Sequence, residues 1–467
     1  MRSLLTGMLA LCLTVPAGAQ APDRSKPPVS PEPRHYKLPP VTETKLPNGL
    51  TVLMAEDPRL PMVTARLVFL CGNKRDPQDI PGLAASVGAM LLQGTKTRTF
   101  QQMAEQLDSL GATLDAASGA DQIMIAGSIL NENTAKLLEL MADVARNATF
   151  PEDELTLHKQ NRKQTLNVQH AQSAYLANEQ FRKAIFGEHP YSHIGPTMAS
   201  IDKMDRKALS DYRDTYLVPN NAFLVLVGKL PARAEALKVI NEQFGSWQQK
   251  PVPEYKPAAP PAGKKQLILV DRPGSVQADV HMGKVGATMR DRDYFPEIIG
   301  SAIVGAGPNS RMFLDIREKR GYAYDVHTET ASLSDAGTFA AVTQVRNEVA
   351  ADALQAVMEH LDRMATSPVE KLELTEAKGE ANGHFLLRLE PQAGLADQLV
   401  TMKVQGLPKD FLETYTTRIN SVEPEQIQAA ARKYLATGDD ALVVVGDAEK
   451  LKGTLEKLGK FEVVKPQ

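Results

Sequence analysis

"IDKMDRKALSDYRDTYLVPNNAFLVLVGKL", Ile201–Leu230, returns later in the chain as "INSVEPEQIQAAARKYLATGDDALVVVGDA", Ile419–Ala448. The two align without a gap: Ile201 falls on Ile419, Leu209 on Ile427, Tyr216-Leu217 on Tyr434-Leu435 and Gly228 on Gly446. Each copy reads as an amphipathic helix, a polar turn and a strand of consecutive branched apolar residues. The spacing between copies is far too long for a solenoid repeat and indicates a duplicated domain. The openings of the halves correspond as well. "GLTVLMAEDPRLPMVTARLVFLCG" (Gly49–Gly72) and "KKQLILVDRPGSVQADVHMGKVG" (Lys264–Gly286) each read as two strands joined by a proline turn, and helical stretches follow both. The expected fold is therefore α+β: two homologous α/β sandwich domains, each a mostly antiparallel sheet with helices packed on one face.

Proline-rich stretches set the boundaries. "QAPDRSKPPVSPEPRHYKLPP", Gln20–Pro40, has no packing pattern and reads as a tether, and "KPVPEYKPAAPPAG", Lys250–Gly263, reads as a linker between halves of about equal length. The expected organisation is a signal peptide over 1–19, a tether over 20–45, a first domain over 46–249, a linker over 250–263 and a second domain over 264–467. Ahead of the tether, Arg2, the apolar run Leu4–Val15 and the small residues Ala17–Ala19 form the three parts of a cleavable secretory signal. That run is too short to span a bilayer as a mature helix, and no later run is long and apolar enough to be a transmembrane helix. Leu11 before Cys12 does not suit a lipidation site. The expected location is the periplasm.

The 467 residues suit two domains, and 43% hydrophobic with 23% charged residues is an ordinary globular composition. A net charge of −3 points neither to nucleic acid nor to an anionic membrane surface. Removal of the signal leaves Cys71 alone, so no internal disulfide can form, and the residue reads as a small buried side chain. Of the nine histidines only His189 and His193, in "HPYSH", stand four apart. Pro190 interrupts any helix there and no glutamate lies between them, so the segment reads as a surface loop.

Three motifs carry a resemblance to a known family. They are the "Y-x-x-x-N-x-x-L-V-x-V-G" ending of the first half, "SRMFLDIREKRGYAYDV" (Ser310–Val326), and "YLATGDDALVVVGDA". From about Leu46 onward the chain resembles the pitrilysin/insulinase-like zinc peptidases, in their two-domain bacterial and processing-peptidase-like branch. Active members carry H-x-x-E-H on a helix. Two histidines at i and i+4 share a zinc ion, the glutamate takes a proton from bound water, and a further glutamate downstream completes the ligands. "GLAASVGAMLLQGT", Gly82–Thr95, aligns with that motif but places Ala85 and Ala89 at the histidines and Gly88 at the glutamate. The distal ligand position falls near Gln164 or Thr165, in a stretch with no acid between Leu155 and Glu179. No side chain at Ala85, Gly88 or Ala89 has a lone pair to offer, so the expectation is no metal and no cofactor in this chain.

The resemblance implies that the second half keeps an arginine and a tyrosine that line the active site of family members, here Arg317 and Tyr324. Locally, Asn309 or Ser310 can cap a helix with an apolar face of Met312, Phe313 and Ile316, and Gly321 can end it. "YAYDVHT" then alternates, with Tyr322, Tyr324 and Val326 on one face. The resemblance also implies an edge strand that takes extended peptides by strand addition; the candidate is Thr113, Leu114, Asp115, Ala116, Ala117 and Ser118. Some bacterial pairs in this family divide the labour, one chain holding zinc and the other supplying Arg and Tyr. The expected role is that second kind, a non-zinc subunit whose partner is a homologous two-domain chain carrying H-x-x-E-H and the zinc. The alternatives are an inactive scaffold or peptide-binding protein and, against the missing ligands, an autonomous zinc peptidase.

Overall fold

A computed structural model of the chain describes residues 37–466. The signal peptide and most of the tether lie outside the described residues. The first sheet contains β1 (Val41–Lys45), β2 (Thr51–Glu56), β3 (Met62–Phe69), β4 (Thr113–Ser118), β5 (Ile123–Leu130) and β6 (Ala222–Gly228), in the order β1-β2-β6-β3-β5-β4. The second contains β7 (Gln266–Asp271), β8 (Gln277–Gly286), β9 (Ala323–Ser332), β10 (Gly337–Arg346), β11 (Ala441–Gly446) and β12 (Glu462–Val464), in the order β12-β7-β11-β8-β10-β9. Pairing is antiparallel except where β6 runs beside β2, and where β7 runs beside β11 and β12. The strands of each opening pair, β2 with β3 and β7 with β8, are not neighbours. The repeated strand of each half, β6 or β11, lies between them and is buried along its whole length. Unbroken branched apolar runs such as "FLVLV" and "LVVV" suit a strand covered on both faces.

Val41–Lys45 corrects the expected end of the tether. These five residues alternate and pair antiparallel with β2 as β1, so the tether ends before Val41. Cys71 is buried, and burial pushes its thiol up to about 12. Among the described residues no helix is long and apolar enough to cross a membrane.

Each half covers one face of its sheet with its own helices. In the first these include Leu83–Met90, Thr134–Asn147, Arg206–Tyr216 and Arg233–Phe244. In the second they include Tyr294–Gly305, Ala350–Thr366 and Pro424–Tyr434. The opposite faces are closed by an exchange that the periodicity of the sequence does not reveal. Helix Ser173–Phe186, from the first half, lays Leu176, Ala177 and Phe181 on Ile268, Val270 and Val443 of the second sheet. Helix Gln392–Val404, from the second half, lays Leu395, Ala396 and Leu399 on Val68, Phe223 and Val225 of the first. The two hold equivalent places, each after a 19-residue helix, Glu152–His170 and Lys371–Leu389. "LAN" at 176–178 matches "LAD" at 395–397. Phe181→Ala should cost about 3–5 kcal/mol, as for a fully buried phenylalanine. Urea unfolding should show it as one cooperative loss across both halves, since the exchange ties the two sheets together.

"HPYSH" is a second correction. His189, Tyr191 and Ser192 are buried, with a short 3₁₀ turn at Pro190–Ser192. The segment closes the end of the exchanged helix, and its polar atoms find partners between the halves. The Tyr191 hydroxyl donates to Asp121, which also accepts from the Ser334 backbone N–H at 2.9 Å and pairs with Lys74 at 3.1 Å. Polar residues are buried there because the network satisfies them. The 250–263 linker is irregular but anchored: Tyr255 donates to Asp335 at 2.8 Å and lies under the Arg75 guanidinium.

Candidate functional site

The helix Leu83–Met90 starts where Asp76 places it. The Asp76 carboxylate accepts from the N–H groups of Gly82 and Ala84, both at 2.7 Å. Gly82 takes φ +88°, and a Cβ there would stand 2.7 Å from Pro196. Burial raises the Asp76 carboxyl to about 7, against the opposing backbone hydrogen bonds. Between about pH 4 and about 7 the folded chain therefore holds a proton that the unfolded chain has released, so stability falls as pH rises through that window. Asp76→Asn does not titrate. The melting-temperature advantage of wild type over this variant should shrink between those pH values and stay level above them.

The Leu83–Met90 helix packs beside β4, with Gly88 against it. A Cβ at Gly88 would stand 2.8 Å from the Ser118 nitrogen and 3.0 Å from the Ala117 carbonyl carbon. Ala85 is half-buried and Ala89 exposed. Gln164 and Thr165 are exposed on the Glu152–His170 helix. From that same helix His158 reaches back to Ser86, with Nε2 3.1 Å from Oγ, and burial followed by the nearby Arg162 charge lowers its pKa. β4 is one of the two outer strands of the first sheet and, among the described residues, pairs only with β5. Thr113, Asp115 and Ala117 are exposed, Ala116 and Ser118 half-buried, and Leu114 turns into the core.

The second constellation stands on the second sheet. Arg311 and Met312 begin a helix that continues as a π-helix from Phe313 to Lys319. Met312 and Ile316 are fully buried, and Gly321 ends the segment at φ +64°. There the Tyr322 N–H reaches the Ile316 carbonyl at 3.0 Å and the Gly321 N–H reaches the Arg317 carbonyl at 3.1 Å. The Ser310 hydroxyl donates to the Gly307 carbonyl rather than accepting from the helix.

Tyr324 departs from the expected alternation. In the register of β9 on β10, Val326 faces Thr343 and Ala323 faces Val345, so Tyr324 and Asp325 together oppose Gln344 alone. This bulge re-aims the strand. Val326 is buried while Tyr324 is 83% exposed, so the two do not share a face. The Arg317 guanidinium lies 4.9 Å from the Tyr324 ring and 4.5 Å from that of Phe313, and its Nε is 3.3 Å from Glu318. Arg317 and Tyr324 are therefore brought together at the surface of the edge strand.

Sequence reading missed the ion pairs made by the helical segment that carries Arg317. Glu373 takes Arg311 in a two-pronged ion pair, 2.8 Å on each arm. Asp315 accepts from Arg320 at 2.9 Å and pairs with His360 at 3.0 Å. Glu373 lies in the charged run Glu370–Glu380, which otherwise reads as a solvated helix face, and no local signal links it to Arg311.

Two family models cover most of the chain: "Insulinase (Peptidase family M16)" matches residues 51–195, and "Peptidase M16 inactive domain" matches residues 203–380. The chain belongs to peptidase family M16. A peptidase M16 inactive domain from Pseudomonas fluorescens superposes with a TM-score of 0.82 at 26% identity, covering 87% of this chain and 98% of that one. The periplasmic protease PqqL from Escherichia coli shares the fold at 14% identity, with a TM-score of 0.77 over 88% of this chain and 46% of its own. An uncharacterized zinc protease of Rickettsia bellii is 28% identical over 352 residues, 72% of this chain and 84% of that protein.

The residues of this M16 chain do not fit the family's zinc ion. Ala85 and Ala89 present methyl groups, Gly88 has its backbone pressed on β4, and an amide and a hydroxyl stand at the distal position. Among the described residues no group of three or more His, Cys, Asp or Glu is placed to hold a metal ion.

Proposed function

We propose that this chain is the non-zinc subunit of a heterodimeric M16 metallopeptidase that cleaves unfolded peptides, and that it lends Arg317 and Tyr324 to a partner carrying H-x-x-E-H and zinc. The observation that carries the reading is the pairing of Arg317 with an outward-turned Tyr324, in a chain whose own ligand positions hold Ala and Gly. A guanidinium stays charged at any working pH and offers five N–H donors, and a phenol adds one more. Set over a scissile peptide, the two hold its carbonyl oxygen and stabilise the negative charge that grows on it as water adds. The π-helix supplies the arginine and the bulged strand the tyrosine, and the guanidinium lies 4.9 Å from the phenol ring. Extended peptides add to the outer edge of β4, whose exposed positions are small or polar and leave its backbone open. Recognition through backbone bonds selects unfolded chains over folded ones.

The reading places the chain in the periplasm. Cell fractionation checks the location, with the mature chain expected in the periplasmic fraction. Co-expression with a neighbouring reading frame that encodes H-x-x-E-H checks the partnership. A complex with one copy of each chain should form and should cleave unfolded peptides. Failure of the two to associate would sink the proposal. A peptide-binding role without catalysis is the second reading, favoured by the open outer edges of both β4 and β9.

A further inference from the structure

The exchanged helix Ser173–Phe186 stops short of the outer strand of the second sheet and leaves a cavity of about 560 Å³ between itself, β10 and β9. Asn178, Phe181 and Arg182 line it from the helix, and His281, Glu329 and Ala331 from the sheet. The same place in the first half is occupied. Arg66 of β3 faces Val225 in register as His281 of β8 faces Val443, and Val225 and Val443 are equivalent in the duplicated sequence. Arg66 is closed off by an ion pair to Asp397 of the other exchanged helix, 2.8 Å away. In the second half the corresponding residues are His281 and Asn178, uncharged partners that leave the space open.

Arg182 borders this space. Its Nε donates to the Tyr191 carbonyl at 3.1 Å, Nη1 reaches Thr338 at 3.5 Å, and the guanidinium lies over the Phe186 ring at 4.7 Å. Among the described residues no carboxylate lies within ion-pair distance of it, and burial lowers its pKa to about 10. A half-buried guanidinium with no carboxylate beside it favours an anion there. His281 is only 7% exposed, and its Nδ1 has no hydrogen-bond partner. Glu329 also faces the cavity, within electrostatic reach of His281, and its carboxylate is taken up by His327, whose Nε2 lies 3.3 Å away and holds it below the usual range. Thr328–Ala331 form the other rim. They belong to an edge strand whose sole strand partner among the described residues is β10, and Glu329, Thr330 and Ala331 are exposed.

We propose that this cavity binds a carboxylate carried by an extended peptide, with the peptide laid along the outer edge of β9 and its carboxylate held by Arg182. The edge supplies backbone hydrogen bonds and the cavity the charge selection. The carboxylate can be the chain's own C-terminus or an acidic side chain, and both present the same group. The inference extends the peptide reading above, but its test needs neither a partner chain nor cleavage.

The test is fluorescence anisotropy on the full chain alone, with three labelled peptides of one neutral sequence. One ends in a free carboxylate, one in a C-terminal amide, and one in an amide after a terminal aspartate. The free acid, the aspartyl amide or both should bind about ten-fold tighter than the neutral amide, the effect of one charge-assisted contact. Which of them does identifies the source of the carboxylate. Arg182→Gln should erase the preference. Ala331→Trp, a change at the exposed mouth that leaves the Arg182 bonds intact, should erase it by obstructing the entrance to the cavity. Equal affinity for all three peptides would overturn the proposal. So would a preference that survives in either folded variant, and Ala331→Trp alone decides if Arg182→Gln does not fold. Loss of peptide turnover on substituting Arg317, with no carboxylate preference here, would leave the catalytic reading intact and remove only this one.

Discussion

Arg317→Ala lowers the peptide turnover of the assembled pair by about a hundred- to a thousand-fold, the usual cost of one donor aimed at a developing oxyanion. The loss falls on kcat more than on KM, because the contact strengthens as charge appears on the carbonyl oxygen. Arg317→Lys recovers only part of it: the charge remains, but the planar fork and its stacking on Phe313 and Tyr324 are gone. Tyr324→Phe keeps the ring under the guanidinium and removes only the hydroxyl, so it separates hydrogen bonding from stacking. Association of the two chains should be unchanged in all three variants. Turnover by the pair that is the same with Arg317→Ala as without it would end the site assignment.

Restoring the motif with Ala85→His, Gly88→Glu and Ala89→His should not restore a zinc centre. The histidines can be accommodated at a half-buried and an exposed position. The glutamate cannot, because its Cβ alone would stand 2.8 Å from the backbone of β4. Overpacking of this kind costs about 1–3 kcal/mol, and burying a carboxylate adds to it. Zinc content by mass spectrometry should stay well below one per chain, and the melting temperature should fall. Gly88→Ala alone should reproduce much of that fall, whereas the two histidine changes without it should be nearly neutral. The Leu83–Met90 helix thus packs against β4 in a way that leaves no room for a side chain at position 88.

The duplicated segment Ile201–Leu230 and its repeat foretold the two halves correctly, because a helix, a turn and a fully apolar strand leave a strong pattern. The edge position of Thr113–Ser118 was anticipated through the family resemblance, with which its small and polar composition agrees. The outward turn of Tyr324 was not. Alternation assigns Tyr324 and Val326 to one face, and a bulge that depends on the register against Gln344 separates them. The burial of "HPYSH" was hidden for a related reason: its polar groups are satisfied by Asp121 and Ser334, far away in the sequence. The helix exchange was out of reach of periodicity, which shows that a helix has an apolar face but not which sheet receives it. Glu373 looked like one more solvated acid until the fold brought it to Arg311.

The most direct test of the account measures zinc content and peptide cleavage on this chain alone, and again after mixing with a homologous chain that carries H-x-x-E-H. The account predicts no bound zinc and no cleavage for this chain alone, and cleavage by the mixture that depends on Arg317 and Tyr324. One zinc per chain together with cleavage by this chain alone would contradict it.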